Sequence, residues 1–369
     1  MTTPYRPTYS PTRGPSPVPF RRSEQATRNS RHVRRLKADR PEDLLAVLPY
    51  LLGFRPEESL VMMVVAYRIV KVTVRVDLSE EAGGVARRFG AIAVAHRATG
   101  VVLVAYSSDP GRADAMLGPV MAGLGRFGVI EALYTDGRRW WSRTCSAACC
   151  PADGTPYEIE SNRLAAEAVF HGMSSFADRS DVERLCAGPP EADHQVLRNL
   201  ADDLLSDVLR PERSQRRLRM RELVTDYVTR RERGDQVLLS DRELVTLALL
   251  AVDLRVRDEA WVAMNRADAW IHVELWQQVV AHAIPDLAPP ALCLLGVASW
   301  IDGQGTLQVC CSERARRLDP TYSMAGVLDD INLNAVPPDA WDELKLSLRE
   351  AVDAAYDRPP EPDPPGLGD

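Results

Sequence analysis

Lysine is nearly absent from this 369-residue chain: Lys37, Lys71 and Lys345 stand against 42 arginines. Arginine and alanine have GC-rich codons, so the ratio reads as a high-GC genome and not as chemistry. Acids still outnumber bases, and a net charge of −7 leaves nothing global to favour nucleic acid or an anionic membrane. Seven cysteines are too few for a disulfide scaffold. No apolar run approaches the roughly 18 residues of a membrane span, and "MTTPYRPTYSPTRGPSPVPF" has no apolar core of a secretion signal. These absences predict a cytoplasmic chain with reduced thiols. Familiar catalytic loops are missing too. No G-x-G-x-x-G follows a strand, there is no G-x4-G-K-[ST], and His272 and His282 lack the H-E-x-x-H spacing of a zinc protease.

What is present is the composition of a globular protein, 45% hydrophobic and 26% charged, long enough for two cores. Six prolines in the first 20 residues make 1–38 read as a disordered Pro/Arg-rich arm, and the proline-rich residues 357–369 read as a disordered tail. Residues 39–160 alternate helix and strand in the order α-ββ-α-β-α-ββ, which predicts an α/β domain with a mixed sheet. Pro49 is expected to kink or shorten the first helix. Asp136-Gly137 is expected to form a two-residue hairpin loop, pairing Thr135 with Arg138 and Leu133 with Trp140. Residues 161–356 carry helix signals only, including apparent capping boxes at Ser180–Glu183 and Ser240–Glu243. They predict an all-α helical domain with a separate core. Within it Leu295-Gly296, Ala315 and Pro320 are spaced as in one tetratricopeptide helix pair.

The runs "PYLLGFRPEESLVMMVV", "VRVDL", "DGRRWWSRTCSAACCPADGTP" and "ASWIDGQGTLQVCCSERARRLDPTYSMAGVL" together resemble the actinobacterial family called DUF4192 over about residues 40–335. The resemblance implies a lineage and an architecture but no activity. Two positions depart from the family pattern, where an acidic residue is usual at Gln304 and aliphatic residues at Cys310-Cys311. The resemblance therefore implies no role for those two cysteines.

Several groups are candidate sites, each with a structural alternative. Asp77 closes one strand, and Ser107, Ser108 and Asp109 follow another, where open α/β sheets hold ligands; Asp and Ser are equally good helix caps. Alternation places Arg139, Trp141 and Arg143 on one face, able to stack a base or hold a phosphorylated ligand, or simply to cover a buried ring. Trp140 on the opposite face is the core anchor. Cys145, Cys149 and Cys150 are read as structural thiols; the rival is a metal site completed by His171 or Cys186. The basic segment 21–40, with eight arginines or lysines against two acids, could touch polyanions or be a solvated linker.

No complete catalytic constellation can be read. The expectation is a non-enzymatic binding or regulatory module for an unknown protein or small molecule, with no cofactor and no membrane contact. The alternatives are an enzyme using Asp77 and Asp109, and a nucleic-acid binder using the basic arm and the Arg139/Trp141/Arg143 face.

Overall fold

A computed structural model describes residues 37–145, 150–171 and 173–356. The arm before residue 37 and the tail from 357 lie outside them. Helix α1 (Pro41–Leu52) opens with proline in its first turn and closes at Gly53, whose φ is +82°. Its start is fixed by the buried carboxylate of Asp43, which accepts from the backbone N–H groups of Asp39 and Arg40 at 3.1 and 3.3 Å. Pro49 neither ends nor shortens this helix. It is buried beside Leu45, Leu48 and Leu52, and that packing outweighs the lost backbone bond.

Strands β1 (Ser59–Ala66) and β2 (Ile69–Asp77), helix α2 (Ala82–Ala95), strand β3 (Gly100–Tyr106), helix α3 (Pro110–Leu124), and strands β4 (Val129–Thr135), β5 (Arg139–Ser142) and β6 (Thr155–Pro156) follow. They realise the expected order, with β6 added. The sheet runs β2-β1-β3-β4-β5-β6, parallel only between β3 and β4. β1 and β3 are continuous apolar runs because both of their faces are covered. Leu60, Met62, Val64, Leu103 and Ala105 pack with residues of α2 and α3. Val61, Met63, Val102, Val104, Tyr106, Leu133 and Trp140 face the other way.

That second face corrects the expectation of two separate cores. Its residues belong to one continuous apolar cluster with the helices that follow, from Val182 to Trp341. A sheet face this apolar has to be covered, and Leu45, Leu48 and Leu52 of α1 share its cluster together with residues of the helical part. A parallel bridge between Phe54 and Phe176 adds a backbone tie.

The chain continues through α4 (Arg163–Phe170), α5 (Arg179–Arg184), α6 (His194–Leu209), α7 (Arg213–Glu232), α8 (Asp241–Leu250), α9 (Leu254–Ala263), α10 (Ala269–Val280), α11 (Ala288–Ile301), α12 (Gly305–Leu318), α13 (Ser323–Leu333) and α14 (Trp341–Tyr356). The Ser240–Glu243 capping box forms. The Ser180–Glu183 box does not: the cap is Asp178, paired reciprocally with Asp181, two residues earlier. Aspartate two positions upstream is the stronger acceptor and takes the role. α11 and α12 form a packed helix hairpin.

Inside the helical part His272 is fully buried, and neither ring nitrogen has a hydrogen-bond partner among the described residues. Burial pushes its pKa down to about 4, against the opposing pull of the Asp268 carboxylate 3.8 Å away and with a small push from Lys345. The folded value lies below the unfolded value near 6.5, so between those pH values the unfolded chain holds the extra proton. The ionisation of His272 therefore costs nothing above pH 6.5, and stability falls as pH drops from 6.5 toward 4. Urea denaturation should show His272→Leu losing less stability over that window than the parent, by a few kcal/mol. Equal pH slopes in both proteins would show that His272 is not held neutral.

Candidate functional site at the strand ends

The sheet register aligns Asp77, Ser59, Tyr106, Thr135, Trp140 and Thr155 in one row across the six strands. The antiparallel and parallel pairings thus gather the ends of β2, β3 and β4 and the starts of β1 and β5 at one rim. This is the rim where the sequence places Asp77 and Ser107-Ser108-Asp109.

The residue that organises the rim is one that sequence reading passed over. Glu58, just before β1, holds a left-handed backbone with φ +41°, which costs a non-glycine residue free energy. Its carboxylate accepts from Ser107 Oγ at 3.1 and 3.0 Å, from the Ser108 backbone N–H at 3.0 Å and from Arg112 at 3.1 Å. Its carbonyl accepts from the Leu78 N–H at 3.0 Å. Glu58 therefore ties the loop before β1 to the β3–α3 turn and to the end of β2. It stands inside "GFRPEES", one of the runs that carries the family resemblance; that run was the only sequence signal for it.

The predicted carboxylates are placed apart. Asp77 is bound by the guanidinium of Arg75 at 2.7 and 2.9 Å, and Arg75 also donates to Ser59. Asp109 caps α3, accepting from Gly111 and Arg112 N–H groups. β1 lies between the strands that carry them, a separation of two strand spacings, roughly 9–10 Å. No hydrogen bond or ion pair joins the two among the described residues. The α3 N-terminus faces the carboxylates of both Asp109 and Glu58, so its anion-binding capacity is already used.

The tryptophan hairpin forms with a shifted register. Thr135 pairs with Trp140 and Leu133 with Ser142, and the two-residue loop is Gly137-Arg138. Gly137 takes φ +88°, and the Asp136 carboxylate accepts from the Arg138 and Arg139 N–H groups, which moves the turn one residue on. A shift of two in pairing leaves the faces unchanged. Trp140 is 9% exposed in the core. Trp141 stacks on Tyr134 with centroids 4.9 Å apart, and its Nε1 donates to the Ala152 carbonyl. Gly154 touches that ring so closely that a Cβ would lie 2.5 Å from it. Arg139 donates to the Asp153 and Gly154 carbonyls, and Arg143 makes a two-pronged pair with Asp114 at 2.7 and 3.0 Å. Each member of this face already has a partner in the chain.

Cys145 and Cys150 are half-buried at the end of the hairpin, and Cys149 lies outside the described residues. No group of three or more His, Cys, Asp or Glu able to hold a metal occurs among the described residues. A polar cavity of about 440 Å³ lies near the start of α1, lined by Asp39, Arg40, Asp43, Glu158, Ser161, Asn162 and Arg163. Its buried carboxylate, Asp43, is taken up by the helix cap and by Asn162 Nδ2 at 3.2 Å. No helix among the described residues is long and apolar enough to cross a membrane.

These features define a mixed-sheet α/β protein completed by a helical half, with a strand-end rim closed on itself by ion pairs. Residues 41–339 match the family described as a domain of unknown function, DUF4192, and the chain belongs to that family. No curated protein and no solved structure matches it.

Glu58→Ala should destabilise the fold by about 1–2 kcal/mol, by stranding Ser107, Ser108 and Arg112. Glu58→Gly should lose roughly 0.5–1 kcal/mol less, because glycine accepts the positive φ. Denaturant titration checks the order; a glycine variant as weak as the alanine variant would show that φ carries no strain.

Proposed function

We propose that the protein is a cytoplasmic binding module with no reaction of its own, and that it takes an extended acidic segment of a partner protein along the outer edge of β2. The carrying observation is the nine-residue strand itself. β2 ends the sheet, and no backbone–backbone hydrogen bond reaches its outer side among the described residues. Such an edge is a template for another strand. Its approach is marked by Tyr67, 75% exposed, and Val70, 41% exposed. Tyr67 and Arg68 form the β1–β2 turn with φ +52° and +64°, a strained choice for two residues that are neither glycine nor asparagine. Exposed tyrosine is a favoured anchor in interfaces. Arg68 and Lys71 give the edge a positive charge that opposes pairing with a second copy and suits an acidic partner.

The carboxylates of the strand-end rim support a non-enzymatic reading, because Glu58, Asp77 and Asp109 are each committed to neighbours. The helical half would add a second docking surface. Support for its tetratricopeptide-like character is the tight seat of Gly296, where a Cβ would meet Leu328 at 2.7 Å and Cys311 at 3.4 Å.

Selection of displayed random peptides on the immobilised full chain tests this. The expected binders are β-forming and acidic, protect the amides of residues 69–77 from hydrogen exchange, and lose at least tenfold in affinity to a Tyr67→Ala/Val70→Asp variant. Binders that protect only the helices would contradict the proposal.

A further inference from the structure

The polar contacts of helix α14 converge on one short turn. Trp341, where α14 starts, is buried against Trp261 and Trp300, with ring centroids 6.2 and 6.0 Å away. Trp341 Nε1 and Lys345 Nζ both donate to the Met264 carbonyl, at 3.1 and 2.9 Å. Lys345 also donates to Asn265 Oδ1, and the Asp342 carboxylate lies 3.7 Å from the Arg266 guanidinium. Met264, Asn265 and Arg266 all stand in the turn of residues 264–268 between α9 and α10. One carboxylate shapes that turn: Asp268 accepts from the Asn265 N–H at 2.8 Å and from Asn265 Nδ2 at 2.9 Å. His272, one turn along α10, brings its Nε2 to 3.8 Å from the same carboxylate.

We infer that residues 264–268 form an acid-sensitive clasp: a proton taken up from solvent by His272 draws Asp268 off Asn265 and frees α14. In the closed clasp the ring is wholly buried, and neither ring nitrogen has a hydrogen-bond partner among the described residues. A positive charge placed there has one answering group, the Asp268 carboxylate, which can approach only by giving up its bonds from Asn265. Asn265 then no longer fixes the turn on which Trp341 and Lys345 are seated. The positive charge of Lys345 acts in the same direction, because it opposes a cationic ring. The other charged groups on or beside α10 are engaged elsewhere. Glu274 pairs with Arg231 of α7 at 2.7 Å, the Tyr227 hydroxyl of α7 accepts from Gln278, and Asp241 of α8 lies 3.3 Å from His282. On α9, Arg257 pairs with Asp258, and Glu259 with Arg217 and Arg221. α11, packed along α10, carries Cys293 as its one titratable group. Opening hydrates the ring and returns its pKa from about 4 to the ordinary 6.5. The opening equilibrium therefore grows as pH falls from 6.5 toward 4, by roughly fiftyfold between pH 7 and pH 4.5.

Hydrogen exchange of the full-length wild-type chain from pH 7 to pH 4.5, corrected for the intrinsic pH dependence of exchange, tests this. The amides of α14 and of residues 264–268 are expected to lose roughly fiftyfold in protection, at about tenfold per pH unit once below pH 6.5, where carboxylates do not yet titrate. They are expected to exchange faster than β1 and β3 throughout, as a local opening does. In His272→Leu the protection of α14 should change less than fivefold over the same range. Wild-type α14 protection that is flat down to pH 4.5, or α14 amides that exchange only as fast as β1 and β3, would overturn the proposal, and neither readout depends on a variant folding. A fiftyfold loss that persists in a folded His272→Leu variant would overturn it as well.

Discussion

The structure depends on the burial of one sheet face. Val61, Met63, Val102, Val104, Tyr106, Leu133 and Trp140 present an apolar surface that α2 and α3 cannot reach, because those helices cover the opposite side. At roughly 25 cal/mol per Å² of apolar surface, leaving such a face in water would cost more than a typical margin of stability. The helical part, together with α1, therefore completes the sheet. Its own helices in turn gain a large flat partner, and the apolar cluster runs unbroken from Leu45 to Trp341.

The same constraint locates polar chemistry at the rim. With both faces of the central strands dry, polar side chains collect where strands end. There Glu58 satisfies Ser107, Ser108 and Arg112 at once, and accepts an unfavourable backbone conformation to do so. The rim is thereby a joint between loops.

Strand and helix order was legible because apolar runs and caps are local signals. "SLVMMVVA" and "VVLVAY" read as strands buried on both sides, and they are. What covered their second face was not legible, since hydrophobic periodicity marks a buried face without naming its partner. The hairpin shows the limit at finer scale. Asp136-Gly137 announced a turn, but only the carboxylate of Asp136 bonding two N–H groups sets which two residues occupy it. The faces of Trp140 and Trp141 survived that error because the pairing moved by an even number. Glu58 was not legible at all. Its role comes from a contact with Ser107, 49 positions away, and no local pattern encodes that.

A shared core has a direct thermodynamic consequence: the strands cannot survive loss of the helices. Calorimetry of the full chain, with tryptophan fluorescence and far-ultraviolet circular dichroism followed through the same transition, measures this. One coincident transition, with calorimetric and van't Hoff enthalpies in agreement, is the predicted result. Two resolved transitions, the helical signal lost first while a native sheet persists, would contradict it.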